Sequence, residues 1–188
     1  MDISPAAIAG DERLDRFVEP FSRFADRVLE RDDVRGVLAG DWLGHPLHPA
    51  LTDLPIGFWT SAFALDLAGN RSRRAADLMV AAGLLSVLPT AAAGLADWHD
   101  RDREGRRLGV VHAAGNVVAS AFYALSLGHR MRGHRLRGVG LGLAGAAAAT
   151  ASAYLGGHLA FGDTGAKPAD GKVDPVEVAA LHGMSRPA

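Results

Sequence analysis

The sequence predicts an all-α fold, an integral membrane four-helix bundle preceded by an amphipathic N-terminal helix. Three observations predict it. Charged residues crowd into the first forty or so positions, three short loops and the C-terminal end, leaving four stretches, 51–69, 75–96, 109–128 and 139–161, almost free of them. Each stretch is close to the roughly 20 residues a helix needs to cross the hydrocarbon core. Leu, Ala, Val and Gly fill them, and glycine is tolerated there because small residues let membrane helices approach closely. A hydrophobic fraction of 48% is ordinary for a soluble protein, so the segregation of residues carries the reading, not the composition. The competing fold is a soluble helical bundle with very apolar helices.

Taken in order, residues 1–10 read as a disordered tail. Over 14–29, Leu14, Phe17, Val18, Phe21, Phe24, Val28 and Leu29 recur at helical spacing with charges between them, the pattern of an amphipathic helix. Such a helix lies on the membrane surface or packs against the bundle. Residues 1–40 therefore form an N-terminal tail and interfacial helix, 41–162 a four-helix membrane domain, and 163–188 a polar tail. The first span ends at Asn70-Arg71-Ser72-Arg73-Arg74. The second carries Pro89 and ends at a charged loop from Trp98 to Arg107. The third ends at a basic loop from His129 to Arg137, and the fourth returns. The two arginine-rich loops thus share one side, which the positive-inside rule makes cytoplasmic.

Several functions are excluded. A net charge of −1 and the lack of a basic stripe argue against nucleic-acid binding. The absence of cysteine rules out disulfides and thiolate metal sites within the chain. Gly140-Leu141-Gly142-Leu143-Ala144-Gly145 matches a dinucleotide fingerprint, but that motif needs a preceding strand, and close helix packing explains it here. No cleavable signal peptide is visible at the acidic N-terminus.

The polar residues inside the spans fall on seams. They are Asp53, Gly57 and Thr60 in the first, Ser86, Thr90, Gly94 and Asp97 in the second, His112, Asn116 and Ser120 in the third, and Thr150, Tyr154 and His158 in the fourth. An ionisable group in a membrane helix usually faces the bundle interior. With a rise of about 1.5 Å per residue, His112, His158, Asp53 and Asp97 reach one depth, with His45 and His48 just outside. This layer suits three roles. His112 and His158 could be axial ligands of haem b. His45, His48, His112 and His158 could bind a Zn, Fe or Cu ion. Asp53, Asp97, Asn116 and Tyr154 would then support the ligands. Or the layer could be a hydrogen-bonded network that only holds the bundle together. His99, His129, His134 and His182 read as solvated, although His99 beside Trp98 could cover the site.

Trp42-Leu43-Gly44-His45-Pro46-Leu47-His48-Pro49, followed by Thr52-Asp53-Leu54-Pro55-Ile56-Gly57, resembles the DUF2231 family of predicted bacterial membrane proteins. Gly94-Leu95-Ala96-Asp97-Trp98, His112 with Asn116, and Tyr154-Leu155-Gly156-Gly157-His158-Leu159 extend the resemblance over roughly 35–165. It implies a bacterial cytoplasmic membrane protein and transfers architecture more than activity. Some relatives join this region to a Rieske-type iron–sulfur domain, which implies a redox setting. Lacking cysteine, this chain would need a separate Rieske-type or other redox partner, with a homo-oligomer also open. The functions carried forward are a histidine-based haem or metal site in electron transfer, a non-catalytic membrane scaffold or assembly subunit, and a small transporter or proton path.

Overall fold

A computed structural model describes residues 4–162, and every regular element among them is helical. Seven α-helices follow one another: α1 Pro5–Ala9, α2 Asp15–Val28, α3 Asp32–Ala39, α4 Leu47–Leu67, α5 Arg73–His99, α6 Arg103–Met131 and α7 Arg135–Phe161. The expected four-helix bundle with one preceding helix is thereby corrected to seven helices. Three segments, Asn70–His99, Arg103–Met131 and Arg135–Phe161, are long and apolar enough to cross a membrane. The expected first span is not among them. Its helix, α4, has 21 residues, but Asp53, Asp66, Pro55 and four hydroxyl or indole side chains dilute its apolar content. On α5, α6 and α7, Leu85, Leu88, Val117, Leu125 and Leu136 point outward, as lipid-facing positions do.

The four long helices run alternately up and down. α4 packs along α5, α6 packs along α7, and α5 against α6 joins these two hairpins, while α4 meets α7 only briefly. Helices α1–α3 cover the end that holds the α5–α6 loop, hereafter the cap face. The opposite end, with both hairpin turns, is the arginine face.

The cap is built from the N-terminal segment. Residues 5–9, expected to be disordered, form α1, whose first amide turn is capped by the Ser4 side chain. Ala9 is buried, and its carbonyl accepts from Arg107 at 3.1 Å. Arg107 also grips Asp15 with two hydrogen bonds of 2.7 and 2.8 Å. This guanidinium, with Arg103 beside it, pulls the Asp15 carboxyl down to about 2. The amphipathic helix forms as its periodicity predicts and lies against the helices. Val18, Ala25 and Leu29 bury against Leu95, Ala96 and Trp98, and Phe21 meets Trp98 edge-on at 4.8 Å. α3, which periodicity did not reveal, is tied to α5 by Arg35 and Asp100 at 2.5 Å. The expected polar tail, 163–188, and His182 within it lie outside the described residues.

The two hairpins are built alike. His48 precedes Trp59 by eleven positions in α4, as His112 precedes Tyr123 in α6. Gly83, Thr90 and Gly94 in α5 are spaced as Gly145, Ser152 and Gly156 are in α7. The contacts match too. A Cβ at Gly83 would strike Trp59, and one at Gly145 would strike Tyr123. One at Gly94 would strike His48, and one at Gly156 would strike His112. Both turns begin on a left-handed glycine, Gly69 at φ 95° and Gly133 at φ 81°, the conformation glycine adopts without steric cost. Each hairpin starts at the cap face, so the repeat is parallel. Trp59 and Tyr123 stack on each other with centroids 3.9 Å apart, which places the pseudo-two-fold axis between them.

Candidate functional site

At the cap face, each hairpin holds one imidazole in the same way. His48, at the start of α4, has Nδ1 at 2.8 Å from the Thr90 carbonyl on α5. His112 on α6 has Nδ1 at 2.8 Å from the Ser152 carbonyl on α7. A carbonyl oxygen only accepts, so both Nδ1 atoms carry the proton and both rings are the Nδ1–H tautomer when neutral. Hydroxyls complete each clamp. Thr90 Oγ1 donates to the Ser86 and Leu51 carbonyls at 2.8 and 3.2 Å, and Ser152 Oγ donates to the His112 carbonyl at 2.8 Å. The glycines at 94 and 156 leave room for the rings. Across the axis the two imidazoles stand perpendicular, with centroids 6.5 Å apart.

The Nε2 atoms differ. That of His112 accepts from the Asn116 side-chain amide at 3.0 Å. That of His48 has no partner among the described residues. Asp97 is half-buried three residues beyond Gly94, within electrostatic reach of His48.

The other expected members do not join this layer. His158 turns away, because it lies two positions, some 200° of helix, from Gly156, which faces His112. Its Nδ1 bonds the Tyr154 carbonyl at 3.0 Å and its ring meets the exposed Tyr154 ring at 4.7 Å. The expected His112–His158 pairing is thus not formed, and His48 stands where His158 was expected. His45 is exposed on the turn before α4, with Nδ1 3.2 Å from the Pro46 carbonyl. Asp53 is exposed, and neither it nor Asp97 bonds an imidazole. Main-chain carbonyls orient the rings instead. Among the described residues, no three His, Cys, Asp or Glu side chains are grouped to hold a metal ion. His99 belongs to the cap and not to a lid, with Nε2 3.0 Å from Asp26.

The arginine face holds a second polar layer that sequence reasoning missed. Each long helix supplies one charge: Asp66 from α4, Asp77 from α5, Arg130 from α6 and Arg135 from α7. Arg130 and Asp66, with side chains only 3% and 6% exposed, form a fork of two bonds at 3.0 and 2.6 Å. Arg130 also reaches Asp77 at 3.3 Å and Ser126 at 3.0 Å. Arg135 bonds both aspartates. The arginines lie where the sequence shows a basic, solvated loop. The available signal was the repeat itself, since Asp66 and Arg130 occupy equivalent positions of the two hairpins.

A family model described as a predicted membrane protein, DUF2231, matches residues 44–167. The chain belongs to that family and is a membrane protein. No curated protein and no solved structure matches it.

Proposed function

We propose that this DUF2231 protein acts through its paired imidazoles, binding a transition-metal ion at the cap face in a redox setting. The observation that supports this reading is the common clamp, in which both rings give Nδ1–H to a main-chain carbonyl. That bond fixes the tautomer and orientation of metal-ligating histidines, leaving Nε2 as the donor atom. Imidazole suits Zn, Cu and Fe. His48 and His112 would be the ligands and Asp97 the nearest carboxylate, with Asn116 turning its amide away from His112. The rings face each other across the axis with centroids 6.5 Å apart, a spacing that suits two imidazoles on one metal centre, and the absorption spectrum separates a bare ion from haem b. A separate Rieske-type or other redox protein, or a second copy of the chain, would be the partner, and the bacterial cytoplasmic membrane the location.

One observation favours a second reading. Asn116 already occupies His112 Nε2, so the layer can serve as a self-satisfied polar joint in a membrane scaffold. A proton path gains a second polar layer at the arginine face, but the Trp59–Tyr123 stack closes the middle of the axis.

The test is metal analysis with an absorption spectrum of the full chain purified in detergent after exposure to Zn, Fe and Cu salts. About one metal per chain is expected, lost in His48→Ala and in His112→Ala but kept in His158→Ala. A Soret band lost in the same variants would put haem in place of the ion. A stable, colourless, metal-free protein would leave the scaffold reading standing alone.

A further inference from the structure

The hairpins match closely enough for their one failure to match to be informative. Beside the aromatic pair, Val80, Leu84 and Leu127 pack on Trp59 and Tyr123, with Val80 also bordering the α4–α7 side. The equivalent positions of the α4–α7 seam are Gly142, Ala146 and Phe63. Glycine and alanine leave the space empty, and Phe63 is exposed. The result is a cavity of about 230 Å³ that has Trp59, Asp66, Tyr123 and Arg130 among its walls. Its rim residues Thr60, Phe63 and Leu143 are exposed on the flank of the helices, beside α7, which is apolar enough to cross a membrane.

The chemistry inside is selective. Tyr123 is 5% exposed, and its hydroxyl has no hydrogen-bond partner among the described residues but keeps some accessible area, on the crevice that the ring lines. Open to the crevice and unpartnered, this O–H is a donor for any acceptor that enters. The Arg130 guanidinium is taken by Asp66, Asp77 and Ser126. With Arg135 the layer sums to zero charge, and so offers no attraction to an anion or a cation. The volume lies below the roughly 300–1,000 Å³ of pockets for drug-sized ligands, and suits a single ring.

From this broken symmetry we infer that the α4–α7 crevice is a binding site for the head group of an uncharged, membrane-soluble ring ketone or quinone, which enters from the lipid and accepts a hydrogen bond from Tyr123. The site is at the end away from the imidazole pair, and its occupancy is independent of the metal reading. Restoring the packed seam, by Gly142→Val with Ala146→Leu, closes it.

Trp59 reports on the cavity it lines. The full chain in detergent is titrated with duroquinone and tryptophan fluorescence is followed. Saturable quenching is expected, absent from the Gly142→Val/Ala146→Leu protein. Tyr123→Phe, which keeps the ring and loses only the oxygen, stands as the second variant should the double variant fail to fold; about a tenfold weakening is expected there. Quenching that stays linear, or is identical in wild type and variants, overturns the inference. Saturable quenching by brominated phospholipid that duroquinone does not relieve also overturns it, by identifying an acyl chain as the occupant.

Discussion

The two polar layers join the same pair of hairpins by opposite means. At the cap face, imidazoles bond main-chain carbonyls of their own hairpin and only touch across the axis. At the arginine face, full charges reach across it, acids from one hairpin and bases from the other. The difference separates rigidity from availability. A layer with one ring nitrogen unpartnered can accept a ligand without first breaking an ion pair. A charged layer with every member paired cannot change without isolating an ion, and breaking a buried pair is far costlier than losing a neutral hydrogen bond.

Arg130→Met breaks this contrast at its strongest point. It takes from buried Asp66 its two-bond partner, leaving only Arg135 to offset that carboxylate, and is expected to cost about 3 kcal/mol, the low end for a broken buried pair, in unfolding measured in detergent. Arg130→Met combined with Asp66→Leu should recover most of that loss. If the single variant is as stable as the wild type, the charged layer is not the clamp described. Next come the glycines that seat the imidazoles. Gly156→Ala puts a methyl 2.7 Å from His112 and Gly94→Ala one 2.8 Å from His48. Each should cost about 1–3 kcal/mol, and similar losses would sharpen the equivalence of the hairpins. His112→Leu, which removes bonds to both Ser152 and Asn116, should cost about 1–2 kcal/mol in the metal-free protein and more than His48→Leu, with His158→Leu near neutral. The order is read from the same unfolding curves.

The smallest effect is confined to the cap. The Asp15 carboxyl is held down at about 2 against an ordinary 3.8. Its contact with Arg107 therefore contributes fully above about pH 4 and is lost as pH falls through about 2. Hydrogen exchange in α1 and α2 should rise over that window while α5–α7 stay protected. Asp15→Asn should flatten this dependence; an unchanged profile would show that another group carries it.

Much of the fold could be read from the sequence. The apolar runs located α5, α6 and α7, and the periodicity from Leu14 to Leu29 located α2, because each buries or exposes a continuous face. α3 escaped because its eight residues are fewer than the roughly 11–18 over which a helical period can be read. Depth reckoning brought His112 and Asp97 to the cap face correctly but could not give azimuth. His158 has the right depth and points the wrong way, since two positions along a helix reverse the side chain's direction. Arg130 escaped for a different reason. A run of arginines and histidines looks solvated until the aspartates of two other helices are seen to face it, and such long-range pairing leaves no local trace. The repeat was visible at a separation of 62 to 64 positions, with the two-residue difference absorbed by the shorter second turn.

The Asp66–Arg130 fork also decides who may pair with whom. In a membrane crowded with copies, the first hairpin of one molecule offers nearly the same surface as the second hairpin of another. Two first hairpins brought together would set Asp66 against Asp66, and two second hairpins Arg130 against Arg130. Only unlike halves satisfy each other, and a short α5–α6 connection keeps those halves at hand within one chain. The opposite charges exclude like-with-like pairing, letting the sequence keep two similar hairpins that still recognise each other as different.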